Sequence, residues 1–184
     1  MKPLDRFDIS YEQLRERFEQ VLNPRDAALI ACIYAGCARV GEVVKGRYDK
    51  SPSILRSSVQ FTPTHMILTL KTEKTKQWRR VPTSRKLEDW LHEPIRNYLL
   101  TLPDDKDELF PITTYWAEQI FKKWFGTGHI HLLRHWSCTH ALQGKRTKKR
   151  LSIHEIQQLG GWTDLTAPSK IYSHYVVEDF IHRI

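Results

Sequence analysis

Four short stretches of this sequence carry side chains whose types and spacing suit chemistry on a phosphate. The first is Ala38-Arg39-Val40-Gly41-Glu42-Val43. An arginine directly after an apolar helix can present its planar fork to a phosphate from a rigid base, and Glu42 can steady that fork. An exposed Arg–Glu pair of little energetic consequence is the plainer reading of the same residues. The second stretch is His131-Leu132-Leu133-Arg134-His135. His131 and Arg134 are three apart and share one helix face, so a bidentate cation and an acid/base group can meet one phosphate. Two alternatives stand beside it. One is a core helix with a satisfied histidine. The other is a metal site drawing on His129, His131, His135 and His140, although the stretch has no H-E-x-x-H and no carboxylate.

The third stretch is basic: Lys71, Lys74, Lys76, Arg79, Arg80 and Arg85 are set against the single acid Glu73. A second basic run holds Lys145, Arg146, Lys148, Lys149 and Arg150. Such runs are usually solvated loops. They can also enter a groove of double-stranded DNA and displace its counterions. The fourth stretch is Leu159-Gly160-Gly161-Trp162, followed by Ile171-Tyr172-Ser173-His174-Tyr175. A tyrosine at its ordinary pKa of about 10 is a poor nucleophile. Nearby guanidiniums favour its phenolate and stabilise charge developing on phosphorus. Without them, both tyrosines are packing aromatics.

Helices and a small sheet must hold these groups. Ser10 and Gln13 form a capping box for a helix to about Leu22, and Asn23-Pro24 opens a mostly apolar helix through Cys37, which Gly36 lets end. Val59 with Phe61, Met66 to Leu70, and Trp78 with Val81 read as three short strands. The polar connection after Leu70 makes a charged hairpin. Ser84 to about Leu100 is an amphipathic helix with Leu87, Trp90, Leu91, Ile95 and Leu99 inward and a kink point at Pro94. Thr113 or Thr114 caps a helix through Trp124. Further helices run from His131 to Leu142, from Ser152, from Ser169 to Tyr172, and from Val177 to Ile181. The fold class is mainly α with a small three-stranded antiparallel β-sheet.

Composition narrows the partner. The chain's 184 residues suit one domain, and 40% hydrophobic residues suffice for a core. Twenty-nine Lys and Arg against 21 Asp and Glu give a net charge of +8, which favours a polyanion. Two basic loops, with no basic amphipathic helix, favour nucleic acid over a membrane surface. The three cysteines are odd in number and include no C-x-x-C, so neither a disulfide framework nor a cysteine zinc site is expected. Met1 to Ser10 has no apolar signal-peptide core, and Ala27 to Ala38 is too short to span a bilayer, so a soluble, intracellular protein is expected.

The order of these features resembles the catalytic domain of the tyrosine recombinases, the phage and archaeal integrases and Xer-like enzymes, over about residues 10 to 176. By that resemblance Arg39 is the first catalytic arginine. Lys74, seven before Val81 in a segment ending R-R-V-P, is the hairpin lysine, with Lys76 and Lys71 as fallbacks. His131 and Arg134 are the H-x-x-R pair. Trp162 stands where the family has His or Trp, and Tyr172 in I-Y-S-H is the nucleophile. The ten residues from Trp162 to Tyr172 exceed the family's spacing by one and include Pro168, which keeps Tyr175 as the second candidate. Lys71, Lys76, Arg79, Arg80, Lys145, Arg146, Lys148 and Lys149 are expected to contact DNA.

The resemblance implies a single catalytic domain over 1–184, without the N-terminal helical domain that these enzymes usually close around DNA; the chain is then a fragment or a minimal member. It also implies cleavage and rejoining through a 3′-phosphotyrosine without ATP, metal or cofactor, and four protomers on two duplexes for full recombination. Three alternatives stand beside this reading: a type IB topoisomerase-like nicking-closing enzyme, a non-catalytic DNA-binding module on the same scaffold, and, more distantly, a metal-dependent nuclease.

Overall fold

Cap residues set where this chain turns. A computed structural model describes residues 9–46 and 51–172. Ser10 caps α1 (Tyr11–Glu19): its hydroxyl accepts from Gln13 N at 3.1 Å, and Gln13 Oε1 accepts from Ser10 N at 2.9 Å. The helix stops short of Leu22 because the chain turns Val21 into the core. Asn23 caps α2 (Pro24–Ala35), its side chain accepting from Asp26 N at 3.0 Å. Every residue of α2 from Asp26 to Ala35 is buried, and α3 and α5 pack against it. It is the central helix of the core.

The end of α2 differs from expectation in an informative way. Gly36 keeps φ −74°, and the left-handed turn falls on Cys37 at φ 46°. Glycine is required at 36 for space instead. A Cβ there would lie 2.8 Å from Leu70 Cδ1, so its absence lets the helix end press onto the sheet.

The sheet is antiparallel in the order β1 (Val59–Phe61), β2 (His65–Lys71), β3 (Trp78–Ser84). Lys71 pairs with Trp78 at the end of the β2–β3 ladder, which leaves residues 72–77 as the charged connection. Alternation puts Met66, Leu68 and Leu70 of β2 and Val81 of β3 against the helices. α3 (Arg85–Leu99) is broken at Glu88 (φ −127°, ψ 31°), and no non-helical backbone is found at Pro94. The break falls where Glu88 turns inward to meet Arg146. α4 (Thr114–Phe125) is capped by Thr113, and α5 spans His131–Leu142 as expected. α6 (Ile153–Gly160) begins with a capping box between Ser152 and Glu155. Residues 166–172 are helical, opened by Asp164 Oδ1 accepting from Thr166 N at 2.7 Å; Pro168 sits in the first turn, where its missing N–H costs no helical bond. The expected helix at Val177 to Ile181 lies outside the described residues. Among the described residues no helix is long and apolar enough to cross a membrane.

Arg146 leaves the set of expected DNA contacts. It is 4% exposed and bonded all round. Its Nε donates to Glu88 Oε1 at 2.6 Å, and its Nη2 donates to Glu88 Oε2 at 3.2 Å and to Ala35 O at 3.0 Å. Its Nη1 donates to Ser137 Oγ. A cation inside a basic run thus ties α2, α3 and α5 together. Removing it strands a buried carboxylate. Arg146→Ala is expected to lower unfolding free energy in urea by about 3–5 kcal/mol, against within about 0.5 kcal/mol for Lys148→Ala on the exposed part of the same loop.

His92 gives a second expectation. It is fully buried, its Nε2 lies 2.8 Å from Thr83 Oγ1, and its Nδ1 has no partner among the described residues. Burial, followed by the cations Arg96 and Arg85, lowers its pKa to about 4 against a contribution from Asp89. The folded protein therefore holds it neutral, while the unfolded chain protonates it near pH 6.5. Its contribution is complete above about pH 6.5 and is lost as pH falls to about 4, by roughly 3 kcal/mol at most. Urea melts at pH 7, 5.5 and 4.5 should show this loss, and His92→Gln should flatten it.

Candidate active site at the end of helix α2

The carbonyls that α2 leaves without helical partners at its C-terminus are where the candidate residues meet. Arg134, on α5, is 1% exposed. Its Nη1 donates to Cys37 O at 2.8 Å and its Nη2 to Gly160 O at 2.9 Å. Arg79, on β3, donates through Nη1 to Gly36 O at 2.9 Å and to Leu159 O at 2.5 Å, and through Nη2 to Cys37 O at 3.4 Å. Two guanidiniums thus join the C-terminal ends of α2 and α6. Both ends carry the partial negative charge of a helix C-terminus, which stabilises cations there.

Arg39 follows on the exit from α2. Its Nη1 donates to Glu42 Oε1 at 3.0 Å, within the short 3₁₀ turn Val40–Glu42, and its side chain is 18% exposed. Glu42 also accepts from Arg79 Nη2 at 2.7 Å. Arg79 is therefore a second correction: its side chain faces inward and organises the cluster rather than facing DNA. Arg39 and Arg79 share one carboxylate here, and Arg134 beside them is held by backbone carbonyls, so the cluster keeps a surplus of positive charge.

The G-G-W stretch is explained by close approach. A Cβ on Gly160 would fall 1.9 Å from the Trp162 ring, and Gly161 has φ 67° and a Cβ position 2.9 Å from Arg79 Cδ. The two glycines let the chain reverse and lay Trp162 over the Arg134 guanidinium, 4.0 Å from the ring centroid.

Tyr172 is gathered into this cluster from the last described helical turn. It is 2% exposed, stacks on His135 at 5.3 Å and meets Trp162 edge-on at 6.4 Å. Its hydroxyl pairs with Cys138. Among the described residues no hydrogen bond joins it to Arg39, Arg134 or His131. Burial, then Cys138 and Cys37, push its phenol well above the ordinary value, against the pull of Arg134. Tyr175 lies outside the described residues.

Cys37 and Cys138 are free thiols with sulfurs 2.7 Å apart, fully buried beneath Tyr172. Burial would raise the Cys37 thiol, but its bond with Cys138 and the cations Arg134, Arg79 and Arg146 outweigh it and lower the thiol. No spacing in the sequence joins these two cysteines. They meet because α5 packs along α2.

His131 opens α5 and stacks on His129 at 6.3 Å. Partial burial, then Arg134, His129 and Arg39, lower its pKa to about 4. At neutral pH it is an uncharged imidazole near both arginines. Among the described residues no three His, Cys, Asp or Glu side chains gather as metal ligands: His135 stacks on Tyr172, and His140 bonds Tyr34 at 2.8 Å.

Lys74 is exposed on the turn of the β2–β3 connection. Its neighbour Glu73 lies against Gly41, 3.0 Å from where a Cβ would sit. A cavity of about 380 Å³ between hairpin and turn is lined by Gly41, Glu42, Lys71, Lys76 and Trp78 among others, so the base of the hairpin borders the cluster. Another, of about 530 Å³, is lined by both Arg80 and Lys148, which puts the two basic loops on one groove. Lys71, Lys76, Arg80, Lys145, Lys148 and Lys149 are all exposed.

No family model and no curated protein sequence matches this chain. Solved structures do. The XerH site-specific recombinase, in a post-cleavage complex on palindromic difH substrate, aligns with TM-score 0.65 and 17% identity over 89% of this chain and 47% of its own. The catalytic domain of bacteriophage HP1 integrase aligns at 0.57 and 20% over 91% of this chain and 87% of its own. The lambda integrase tetramer bound to a Holliday junction gives 0.54 and 13%, over 86% and 47%. The chain thus spans about half the length of XerH and nearly all of an isolated integrase catalytic domain. The mainly helical architecture, the three-stranded antiparallel sheet and these alignments give one conclusion: this chain has the tyrosine recombinase catalytic-domain fold.

Proposed function

We propose that the protein is a metal-independent DNA strand transferase that recombines or integrates DNA through a 3′-phosphotyrosine. The observation that carries this is the meeting of Arg39, Arg134, Trp162 and Tyr172, from three separate stretches, on one hydrogen-bonded frame that includes the buried carboxylate of Glu42. Arg39 and Arg134 hold the nonbridging oxygens of one DNA phosphate and stabilise the charge of the pentavalent transition state. His131, neutral at pH 7, donates a hydrogen bond to the same phosphate, and Trp162 keeps Arg134 in place. The Tyr172 hydroxyl leaves Cys138, passes its proton to the free ring nitrogen of neutral His131, attacks phosphorus in line, and forms the 3′-phosphotyrosyl bond. The 5′-oxygen departs with a proton from Lys74. A second 5′-hydroxyl reverses the step and releases Tyr172.

Lys71, Lys76, Arg80, Lys145, Lys148 and Lys149 contact the backbone of the duplex. Full recombination uses four protomers on two duplexes, by analogy with the lambda integrase tetramer on its Holliday junction.

The deciding experiment is a covalent-adduct assay. Wild type, Tyr172→Phe and Tyr175→Phe are incubated with labelled supercoiled and nicked DNA in EDTA, then quenched in SDS. Protein-linked label that disappears only in Tyr172→Phe is expected. Loss only in Tyr175→Phe moves the nucleophile, relaxed circles without exchanged strands indicate a nicking-closing enzyme, and DNA binding with no adduct from any variant leaves a binding module. Binding itself is expected to be phosphate-led: affinity should drop by about 10³-fold or more between 50 and 200 mM salt if roughly six or more phosphates are engaged, and a flat response would refute that.

A further inference from the structure

The tightest ionic contact of the site belongs to a residue with no part in the steps above. Glu42 is fully buried, and its two oxygens serve two different arginines. Oε1 accepts from Arg39 Nη1 at 3.0 Å, and Oε2 accepts from Arg79 Nη2 at 2.7 Å. The Arg39 backbone N–H also donates to Oε2, at 3.3 Å. Arg79 is only 10% exposed, and among the described residues its other bonds go to the Gly36, Cys37 and Leu159 carbonyls, not to a second acid. Arg39, Glu42 and Arg79 together carry one net positive charge. Without Arg79 the same carboxylate would belong to Arg39 alone, and the pair would be neutral. A phosphodiester arriving at Arg39 would then meet a cancelled charge.

We propose that Arg79 is a positioning residue for the phosphate site. It takes Oε2 of Glu42, fixes the carboxylate between two cations, and so holds the Arg39 fork in place with its charge still available. The proposal rests on reading this cluster as a phosphate-binding centre. It goes beyond that reading because Arg79 itself touches neither DNA nor the reacting atoms. A guanidinium suits this role, since its fork reaches three carbonyls and one carboxylate on three segments at once, which a lysine ammonium cannot do in one position.

Arg79→Gln removes the charge, and Arg79→Gln/Glu42→Gln then removes the acid that would cancel Arg39. A purely structural Arg79 predicts that the second substitution makes matters worse. The proposal predicts rescue. In single-turnover adduct formation on nicked DNA at saturating protein, Arg79→Gln is expected to be about 100-fold slower than wild type, with the DNA dissociation constant within about threefold. The double variant is expected to recover at least tenfold of that loss. A double variant as slow as Arg79→Gln, or slower, overturns the proposal, as does an Arg79→Gln variant as fast as wild type.

A second readout separates this failure from failure of the strand-transfer reading. Inorganic phosphate is titrated against wild type at constant ionic strength, with sodium chloride as reference, and the melting temperature is followed. Stabilisation in wild type that is lost in Arg79→Gln and returns in the double variant upholds the proposal even where no adduct forms. No phosphate-specific stabilisation in wild type, with no adduct, overturns it. Where circular dichroism shows Arg79→Gln unfolded, Arg79→Lys takes its place. It keeps the charge, so adduct formation and phosphate stabilisation are expected within about tenfold of wild type. Losses as deep as those of Arg39→Gln would overturn the proposal.

Discussion

The end of α2 determines this site. A helix of twelve residues buried on nearly every side stops with its last carbonyls pointing into the interior. Carbonyls so placed must find donors or cost the fold their full desolvation. Here Gly36 and Cys37 find them in Arg79 and Arg134. The same two guanidiniums direct further N–H groups to Leu159 and Gly160 at the end of α6. What satisfies two helix ends therefore also concentrates positive charge in a nearly dry place. Arg39 stands at its mouth because it is the second residue after Cys37, and Trp162 and Tyr172 follow α6 into it.

Such an arrangement costs stability. Charges held out of water must recover their hydration from fixed dipoles, and a non-glycine residue in the left-handed region costs of order 1–3 kcal/mol. Cys37 bears that cost because Gly36, which would bear it more easily, is needed one position earlier for contact with Leu70. Strain and partly neutralised charge fall on the same few residues. That concentration is the ordinary mark of a site built to receive a ligand of opposite charge.

How much of this can be read in the chain depends on what kind of information each feature needs. Helix starts at Ser10, Asn23, Thr113 and Ser152 are legible because caps are local. The strands are legible because alternation is local. The meeting of Arg39, Arg134, Trp162 and Tyr172 enters only through resemblance of their order. Arg79 and Arg146 turn inward against expectation for one shared reason. A basic run displays charge but not direction, and whether a side chain turns inward depends on carbonyls and carboxylates far along the chain. The break in α3, expected at Pro94, lies at Glu88, since a buried ion pair can move a helix more than a proline near its middle. The Cys37–Cys138 contact has no local signal at all.

Arg146 and the Arg39 cluster show what distinguishes an arginine that holds a fold from one proposed to receive a phosphate. Burial does not, because Arg134 is as deeply buried as Arg146. Hydrogen bonding does not either, since both have donors engaged by backbone carbonyls. The difference is the charge balance. Arg146 meets Glu88 through two separate bonds, one cation to one anion, so no net charge is left to attract a ligand. At the end of α2, Arg39 and Arg79 share Glu42, Arg134 is held by backbone carbonyls, and helix carbonyl dipoles supply the remaining stabilisation. A dipole stabilises a cation without cancelling its charge. A cluster balanced in that way stays folded when empty and still attracts an anion, which is what the proposed cycle of binding, releasing and rebinding DNA phosphate requires.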